Sequence, residues 1–289
     1  MILVTGATGN VGRELVRALD RQGHAVRMLV RDPARAADAP ERVERIVGDL
    51  TDPATLPPAF EGADAAFLLI PGLTVTPAAD AVAAALQAGV RRLVLLSSFN
   101  VLGDPMPAMG RWHHEREEIV RGSGIPATIL RPGGYMSNAL EWVAAVKSGA
   151  PVLDPSGPGR YAPIDPADIA AVAAVALTED GHAGAEYVLT GDETFTTAEQ
   201  VAVLSAALGR TIPVRTAATP EEAVRARYAN GAPPALAEAI LEGFTLMRAD
   251  TMGLRTDTVE KLLGRRPARF ADWCTRNADR FRNPAESHR

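Results

Sequence analysis

The sequence predicts an α/β protein, with a doubly wound parallel sheet joined to a smaller, mostly helical C-terminal region. Three observations predict it. The chain opens on an apolar run that passes through three evenly spaced glycines into a helix. Short apolar runs then alternate with helix-length segments, the pattern of βαβ units. Beyond Gly149 the texture changes, with Pro151, Pro155, Pro158, Pro163 and Pro166 breaking the chain into short pieces.

Ile2-Leu3-Val4 reads as the first strand, and Arg13 to Arg21 as an amphipathic helix with Leu15, Val16 and Leu19 inward. Between them, Gly6 permits a tight turn with unusual dihedrals. Gly9 lets the backbone approach a pyrophosphate, and Gly12 lets the helix pack against the strand. An anion seated there meets free amides and the positive end of the helix dipole. Thr8, Asn10 and Val11 complete this expected phosphate loop. Further strands are expected at Ala25–Val30, Val43–Val47, Ala65–Ile70, Leu93–Leu96 and Ala127–Leu130. Runs such as Phe67-Leu68-Leu69-Ile70 and Leu93-Val94-Leu95-Leu96 are continuously apolar, as strands covered on both faces must be. A helix from Asp168 to Leu177 follows, with Asp168 as its expected N-cap. Next come a strand near Tyr187–Leu189 and a helix at Thr197–Leu208, capped by Thr196 or Thr197 and closed by Gly209. Residues from about 212 to 289 read as mostly helical. Residues 1–150, with 161–190 returning, are expected to form a Rossmann-type nucleotide-binding domain, and 191–289, with 151–160, a substrate-binding region.

Composition narrows the function. Among the 289 residues, 47% are hydrophobic and 22% charged, the balance of an ordinary globular protein. A net charge of −5 and a pI near 5.6 give no drive toward nucleic acid or an anionic membrane. The Arg265-Arg266 pair is expected to be solvated surface. One cysteine, Cys274, excludes an internal disulfide framework, and five scattered histidines argue against structural zinc. The apolar run Ile169–Leu177 is too short to cross a bilayer, so a cytoplasmic protein with no membrane partner is expected. A homodimer is compatible with the sequence. His113-His114-Glu115 lacks two histidines at i and i+4, no Gly-x-Ser-x-Gly elbow occurs, and the glycine loop does not end in Gly-Lys-Ser/Thr. Zinc hydrolase, serine hydrolase and nucleoside-triphosphatase chemistry are therefore set aside.

In these folds the end of the second strand lies beside the adenosine ribose, where an acid binds a 2′-hydroxyl and a base accommodates a 2′-phosphate. Here it reads Leu29-Val30-Arg31-Asp32, and Arg31 favours NADP over NAD. Asp32 as the ribose acid is the competing reading. After the third strand, Asp49 either accepts from the adenine amino group or simply shapes a turn. Leu50, Ile70, Pro71, Ser97, Pro132 and Gly133 are further expected cofactor contacts along the strand ends.

Six motifs occur together in order: Thr5-Gly-Ala-Thr-Gly-Asn-Val-Gly12, Gly48-Asp-Leu-Thr-Asp52, Ser97-Ser98, His113-x-x-x-Glu117, Ser123-Gly-Ile-Pro-Ala-Thr-Ile-Leu-Arg-Pro132 and Pro163-Ile-Asp-Pro-Ala-Asp-Ile169. Through them nearly the whole chain resembles the NmrA-like branch of the atypical short-chain dehydrogenases, which includes quinone-reductase-like and azoreductase-like proteins. The resemblance implies a nicotinamide cofactor lying across the strand ends and a small C-terminal substrate domain. It also allows a non-catalytic redox sensor, since this branch includes proteins of that kind.

The chain departs from the full reductase pattern of Ser or Thr followed by Tyr-x-x-x-Lys. Matching the helix through Glu117 puts His113 at the lysine position and Met109, which does no acid-base work, at the tyrosine position. Ser98 keeps the serine position. His113 is expected to hold the ribose or nicotinamide, to donate a proton, or to be a helix histidine bonded to nearby backbone. Tyr135, within Arg131-Pro-Gly-Gly-Tyr-Met-Ser-Asn138, either supplies a phenolic proton or walls the pocket, with Gly133 and Gly134 leaving room for the nicotinamide. Tyr228, Leu236, Ile240, Leu241, Phe244, Leu246 and Met247 form a stripe suited to a pocket wall, to core or to a partner surface. The leading expectation is NADPH-dependent reduction of a quinone-like or conjugated carbonyl small molecule by His113, Tyr135 and Ser98. A cofactor-sensing regulator and a tailoring enzyme that reduces, epimerises or cyclises a polycyclic substrate are the alternatives.

Overall fold

Alternating side chains on each central strand feed two separate cores, and this fixes the layers of the molecule. In the computed structural model, residues 1–283 are described. Strands β1 (Ile2–Val4), β2 (Val26–Val30), β3 (Glu44–Val47), β4 (Ala65–Leu68), β5 (Arg92–Leu96), β6 (Ala127–Pro132), β7 (Val152–Asp154), β8 (Glu186–Leu189) and β9 (Val214–Thr216) are joined by helices. The α-helices among these are α1 (Asn10–Arg21), α2 (Leu56–Phe60), α3 (Thr76–Gln87), α4 (Ala108–Gly122), α5 (Val143–Ser148), α6 (Pro166–Thr178) and α7 (Thr197–Leu208). They continue as α8 (Pro220–Arg227), α9 (Pro234–Arg248), α10 (Thr258–Leu263) and α11 (Phe270–Phe281). The large sheet has seven parallel strands in the order β3-β2-β1-β4-β5-β6-β8.

Ile2 and Val4 of β1, Phe67 of β4 and Val94 of β5 join α1, α6 and α10 on one face. Leu3, Leu68, Leu93 and Leu95 join α2, α3 and α4 on the other. Strands covered in this way bury both side-chain sets, which explains the unbroken apolar runs. The fourth strand stops at Leu68, two residues short of the expected Ile70. There the Thr5 side chain takes over the pairing, accepting from the Leu69 amide at 2.8 Å.

A third core of Met136, Val146, Val152, Val201, Leu204, Phe270, Trp273 and Phe281 spans Gly149 and binds α5, α7 and α11 together. The region expected to be mostly helical also holds β9, which pairs in parallel with β7 over Val152–Asp154. Both strands are only three residues long, too short for a periodic signal. The last six residues of that expected region, 284–289, lie outside the described residues.

One expectation is corrected. Asp165, not Asp168, caps α6, its carboxylate accepting from the Ala167 amide at 3.0 Å. Asp168 is instead buried, accepting from the Ala268 amide at 2.7 Å and pairing with Arg265 at 2.6 Å. Arg265 and Arg266 are exposed, as expected, and each also meets a carboxylate, Arg266 reaching Asp192 at 3.0 Å. These partners are distant in sequence, so local reading could not pair them.

Helix α7 starts on a capping box in which Thr196 and Glu199 satisfy each other's backbone amides. Thr196→Ala removes the accepting oxygen and is expected to lower stability by about 1 kcal/mol, measured as a shift in the denaturant midpoint at unchanged slope.

Candidate active site

Because the seven strands run the same way, their C-terminal ends share one edge, and the expected cofactor residues are laid out along it. In sheet order that edge carries Asp49 after β3, Arg31 after β2, the glycine loop after β1, Ile70 and Pro71 after β4, Ser97 and Ser98 after β5, and Pro132 and Gly133 at the end of β6. At about 4.8 Å between neighbouring strands this is a track roughly 24 Å long, the scale of an extended dinucleotide.

The centre of the track is the glycine loop. Gly6 has φ +59°, in the left-handed region, and its carbonyl accepts from the Gly9 amide at 3.0 Å. A Cβ on Gly12 would stand 2.3 Å from the Gly6 oxygen, so only glycine lets α1 start this close to the turn. It is the turn, rather than the strand, that Gly12 meets. No side chain caps α1, and Gly9 and Asn10 are exposed. The loop therefore presents uncapped amides at the positive end of a 12-residue helix, which fits a diphosphate. Thr8 is half-buried, Val11 is buried, and the Asn10 amide reaches Ser137 at 3.1 Å.

Toward the β2 end, Arg31 is exposed and ready to turn toward an anion, whereas the Asp32 carboxylate is occupied in capping the following turn through the Ala34 amide at 2.9 Å. Asp49 folds back on its own turn, accepting from the Thr51 amide and hydroxyl, both at 2.9 Å. The Thr51 amide, followed by the Thr51 hydroxyl and the nearby Arg31 charge, holds the Asp49 carboxyl below its ordinary range. Leu50 is buried beneath it.

Between β5 and β6 lies a buried cluster that sequence reading missed. Glu117 of α4 is fully buried. Its carboxylate accepts from the Ser97 hydroxyl at 2.5 Å, from Arg131 at 3.0 and 2.6 Å, and from Arg121 at 2.7 Å. Burial alone would raise this carboxyl, but the hydrogen bonds from Arg131 and Ser97 and the Arg131 charge carry it below the ordinary range. The Ser97 side chain is thereby spent on α4 rather than on a ligand, which leaves Ser98 as the serine hydroxyl at the strand end. One signal was available in the sequence, a charged Arg131 closing an otherwise apolar strand.

Beyond these strand ends opens a cavity of about 1070 Å³. Ile70, Ser97, Ser98, His113, Pro132, Gly133 and Tyr135 line it; the glycine loop, Arg31, Asp49, Leu50 and Pro71 stand outside it. The far wall includes Tyr228, Ile240, Phe244, Leu246 and Met247, so most of the C-terminal stripe faces the cavity while Leu236 packs beside it. Glu242 of α9 caps the first turn of α4 through the Ala108 amide at 2.7 Å, which ties this wall to the helix that bears His113. Sequence reading also missed Asn100, Asn138, Trp142 and Tyr161 in the lining, and the Glu141–Arg227 ion pair at 2.5 Å. None of these carries a local signal, because the fold brings them from separate elements.

Burial, followed by the neighbouring Arg116 charge, lowers the His113 imidazole from 6.5 to about 4. It is neutral at physiological pH, a hydrogen-bonding group rather than a charged acid. Burial also pushes the Tyr135 phenol above its ordinary value, and its ring packs against the main core. Gly134 departs from expectation. A Cβ there would meet the Tyr161 ring at 3.0 Å, so the space is filled by Tyr161 and not left for a nicotinamide. A Cβ on Gly133 would meet Ala162, Leu189 and Thr190 at 3.8 Å, ordinary contact.

A family model described as NAD(P)H-binding matches residues 6–180, more than half of the chain and the whole strand-end track up to α6. The chain belongs to this NAD(P)H-binding family. Similarity extends further: the NAD(P)H azoreductase of Xenophilus azovorans is 38% identical over 285 residues, 97% of this chain and 99% of that protein. The (4-alkanoyl-5-oxo-2,5-dihydrofuran-3-yl)methyl phosphate reductase of Streptomyces griseus is 40% identical over 282 residues, 97% of this chain and 99% of that protein. Among solved structures, the NADPH-dependent quinone oxidoreductase QOR2 of Escherichia coli, complexed with NADPH, superposes with a TM-score of 0.81 at 27% identity. That match spans 96% of this chain and 99% of the other. This family member is an NAD(P)H-dependent oxidoreductase with a Rossmann-type fold. Among the described residues no helix is long and apolar enough to cross a membrane.

Two measurements follow from the site. Glu117→Gln leaves the Arg131 guanidinium without its buried counter-charge and is expected to cost about 3 kcal/mol of stability, read by chemical denaturation. The depressed His113 value also sets a sign: between pH 6.5 and about 4 the unfolded chain binds the proton and the folded one does not. Stability contributed by the neutral imidazole is present above pH 6.5 and lost as pH falls through that window. Replacing His113 with Gln is expected to flatten the pH dependence of the denaturation midpoint there, and an NMR titration should place its imidazole near the low end.

Proposed function

We propose that the protein reduces quinone-like or conjugated carbonyl small molecules with NADPH, without a Tyr-x-x-x-Lys dyad. The observation that carries this reading is the mostly apolar cavity opening at the β5 and β6 ends, where the groups of the nicotinamide end, Ser98, neutral His113 and protonated Tyr135, are all uncharged. Such a site suits an electron-poor acceptor that needs orientation more than acid-base help. The Streptomyces relative's name, describing an acyl-substituted dihydrofuranone, and the quinone oxidoreductase neighbour both agree with that class.

Residues 1–150 and 161–190 are read as the nucleotide domain, and 191–289 with 151–160 as the substrate region. The Gly6–Gly12 loop would hold the diphosphate through the Gly9, Asn10 and Val11 backbone, with Thr8 beside it. Arg31 would meet the 2′-phosphate, since Asp32 is spent on its own turn. Asp49 and Leu50 would border the adenine. Ile70, Pro71, Ser97, Pro132, Gly133 and His113 would flank the ribose and nicotinamide. When bound, the dihydronicotinamide supplies the hydride, and the acceptor takes one proton from solvent to complete a two-electron reduction. His113 hydrogen-bonds as a neutral imidazole, Ser98 offers its hydroxyl to the acceptor, Tyr135 walls the pocket, and the α8–α9 wall excludes water.

Calorimetry should show NADPH binding more tightly than NADH. Arg31→Ala should weaken NADPH by about tenfold or more while leaving NADH unchanged, the loss of a charge-assisted contact. Purified protein should oxidise NADPH in the presence of a naphthoquinone, with His113→Ala lowering the rate. Nucleotide binding without oxidation across quinone, enone and azo acceptors would sink the reductase reading in favour of a cofactor sensor.

A further inference from the structure

We propose that Tyr161 is the donor that recognises an oxygen of the acceptor inside the cavity, with Gln200 as the residue that positions its phenol. The inference rests on the reductase reading above and deepens it, naming acceptors with a carbonyl oxygen on an apolar ring system.

Placement comes first. Tyr161 exchanges backbone hydrogen bonds with Phe195, at 3.1 and 2.9 Å, while the nearby Ile164 amide donates to Gly134 at 2.9 Å. These bonds lay the Tyr161 ring over Gly134, where a Cβ would stand only 3.0 Å from it. The ring is thus fixed beside the Gly133–Tyr135 segment at the end of β6, and it lines the cavity there.

The second observation is an orphan. Tyr161 donates its hydroxyl to Gln200 Oε1 at 3.1 Å. Gln200 is only 1% exposed, and its Nε2 has no partner among the described residues. An unpaired buried amide nitrogen is costly and calls for an explanation. The two ends of a glutamine amide are equivalent in shape. With the amide turned over, Nε2 donates to the phenolic oxygen and the phenolic hydrogen is released toward the cavity. An acceptor oxygen in the cavity would receive that hydrogen, so the ligand favours the arrangement in which Nε2 is satisfied. Burial pushes the Tyr161 phenol up to about 12, and the group stays a donor at neutral pH. The cavity's charged pair, Glu141 and Arg227, satisfies itself and leaves recognition of an uncharged oxygen to groups such as this one.

The test compares two probes of one ring system on the NADP⁺-loaded protein, a naphthoquinone and the matching naphthalene. Tyr161→Phe is expected to weaken the quinone about tenfold, the worth of one hydrogen bond, and to leave the hydrocarbon unchanged. Gln200→Met is expected to reproduce the loss for the quinone alone, with NADPH affinity intact in both variants as the check on folding. Parallel weakening of both probes would make the phenol a packing wall only and overturn the inference, as would an unchanged quinone affinity or a wild type that binds neither probe. Failure of the wild type to oxidise NADPH with the quinone would count against the reductase reading instead, because the binding comparison involves no turnover.

Discussion

Parallel pairing of all seven strands of the large sheet is the constraint from which the rest of this molecule follows. Helices cover both faces, so no ligand can approach through them, and every strand delivers its C-terminal end to the same edge. The βαβ connection that produces this geometry also places a helix start beside each strand end. At β1 the two coincide so tightly that Gly12 tolerates no side chain. A long anionic molecule laid along the edge meets free amides at its centre and side-chain contacts at both ends.

The edge needs a floor that does not shift, and the Glu117 cluster provides it. One buried carboxylate takes hydrogen bonds from Ser97 at the end of β5 and from Arg131 at the end of β6, while its own helix carries His113 one turn earlier. Fully burying a lone charge would be prohibitive, so the two partners that tie the strand ends, with Arg121 of the same helix, also keep Glu117 ionised. Burial, followed by the Arg116 charge, takes the charge from His113. Two titratable groups four residues apart on α4 therefore reach opposite outcomes. One is structural and charged, the other neutral and turned toward the cavity.

The substrate side follows different rules. Its walls come from the segment after Gly149 and from α8 and α9, held by contacts such as Glu242 to Ala108 and Glu141 to Arg227 that join residues far apart in sequence. Tyr161 fills the gap above Gly134 that the sequence suggested for the nicotinamide. A missing side chain says that something approaches closely, but not what. The same holds for Asp168, whose position before an apolar helix suited a cap, while its carboxylate serves a loop 100 residues away.

What the sequence alone determined is whatever depends on local order. The glycine spacing fixed the turn, the unbroken apolar runs fixed the strands buried on both faces, and Thr196 or Thr197 with Gly209 bounded α7. Arg31 and Asp32 were both visible as candidates, and the place of Arg31 directly after the apolar run put it first. Only the tertiary structure decided that the Asp32 carboxylate turns onto Ala34, that Ser97 faces Glu117, that His113 is desolvated, and that Tyr161 and Gln200 meet beside Gly134. The physical reason is that charge state and hydrogen-bond partnership depend on burial and on neighbours supplied by distant segments, whereas backbone conformation is set within a few residues.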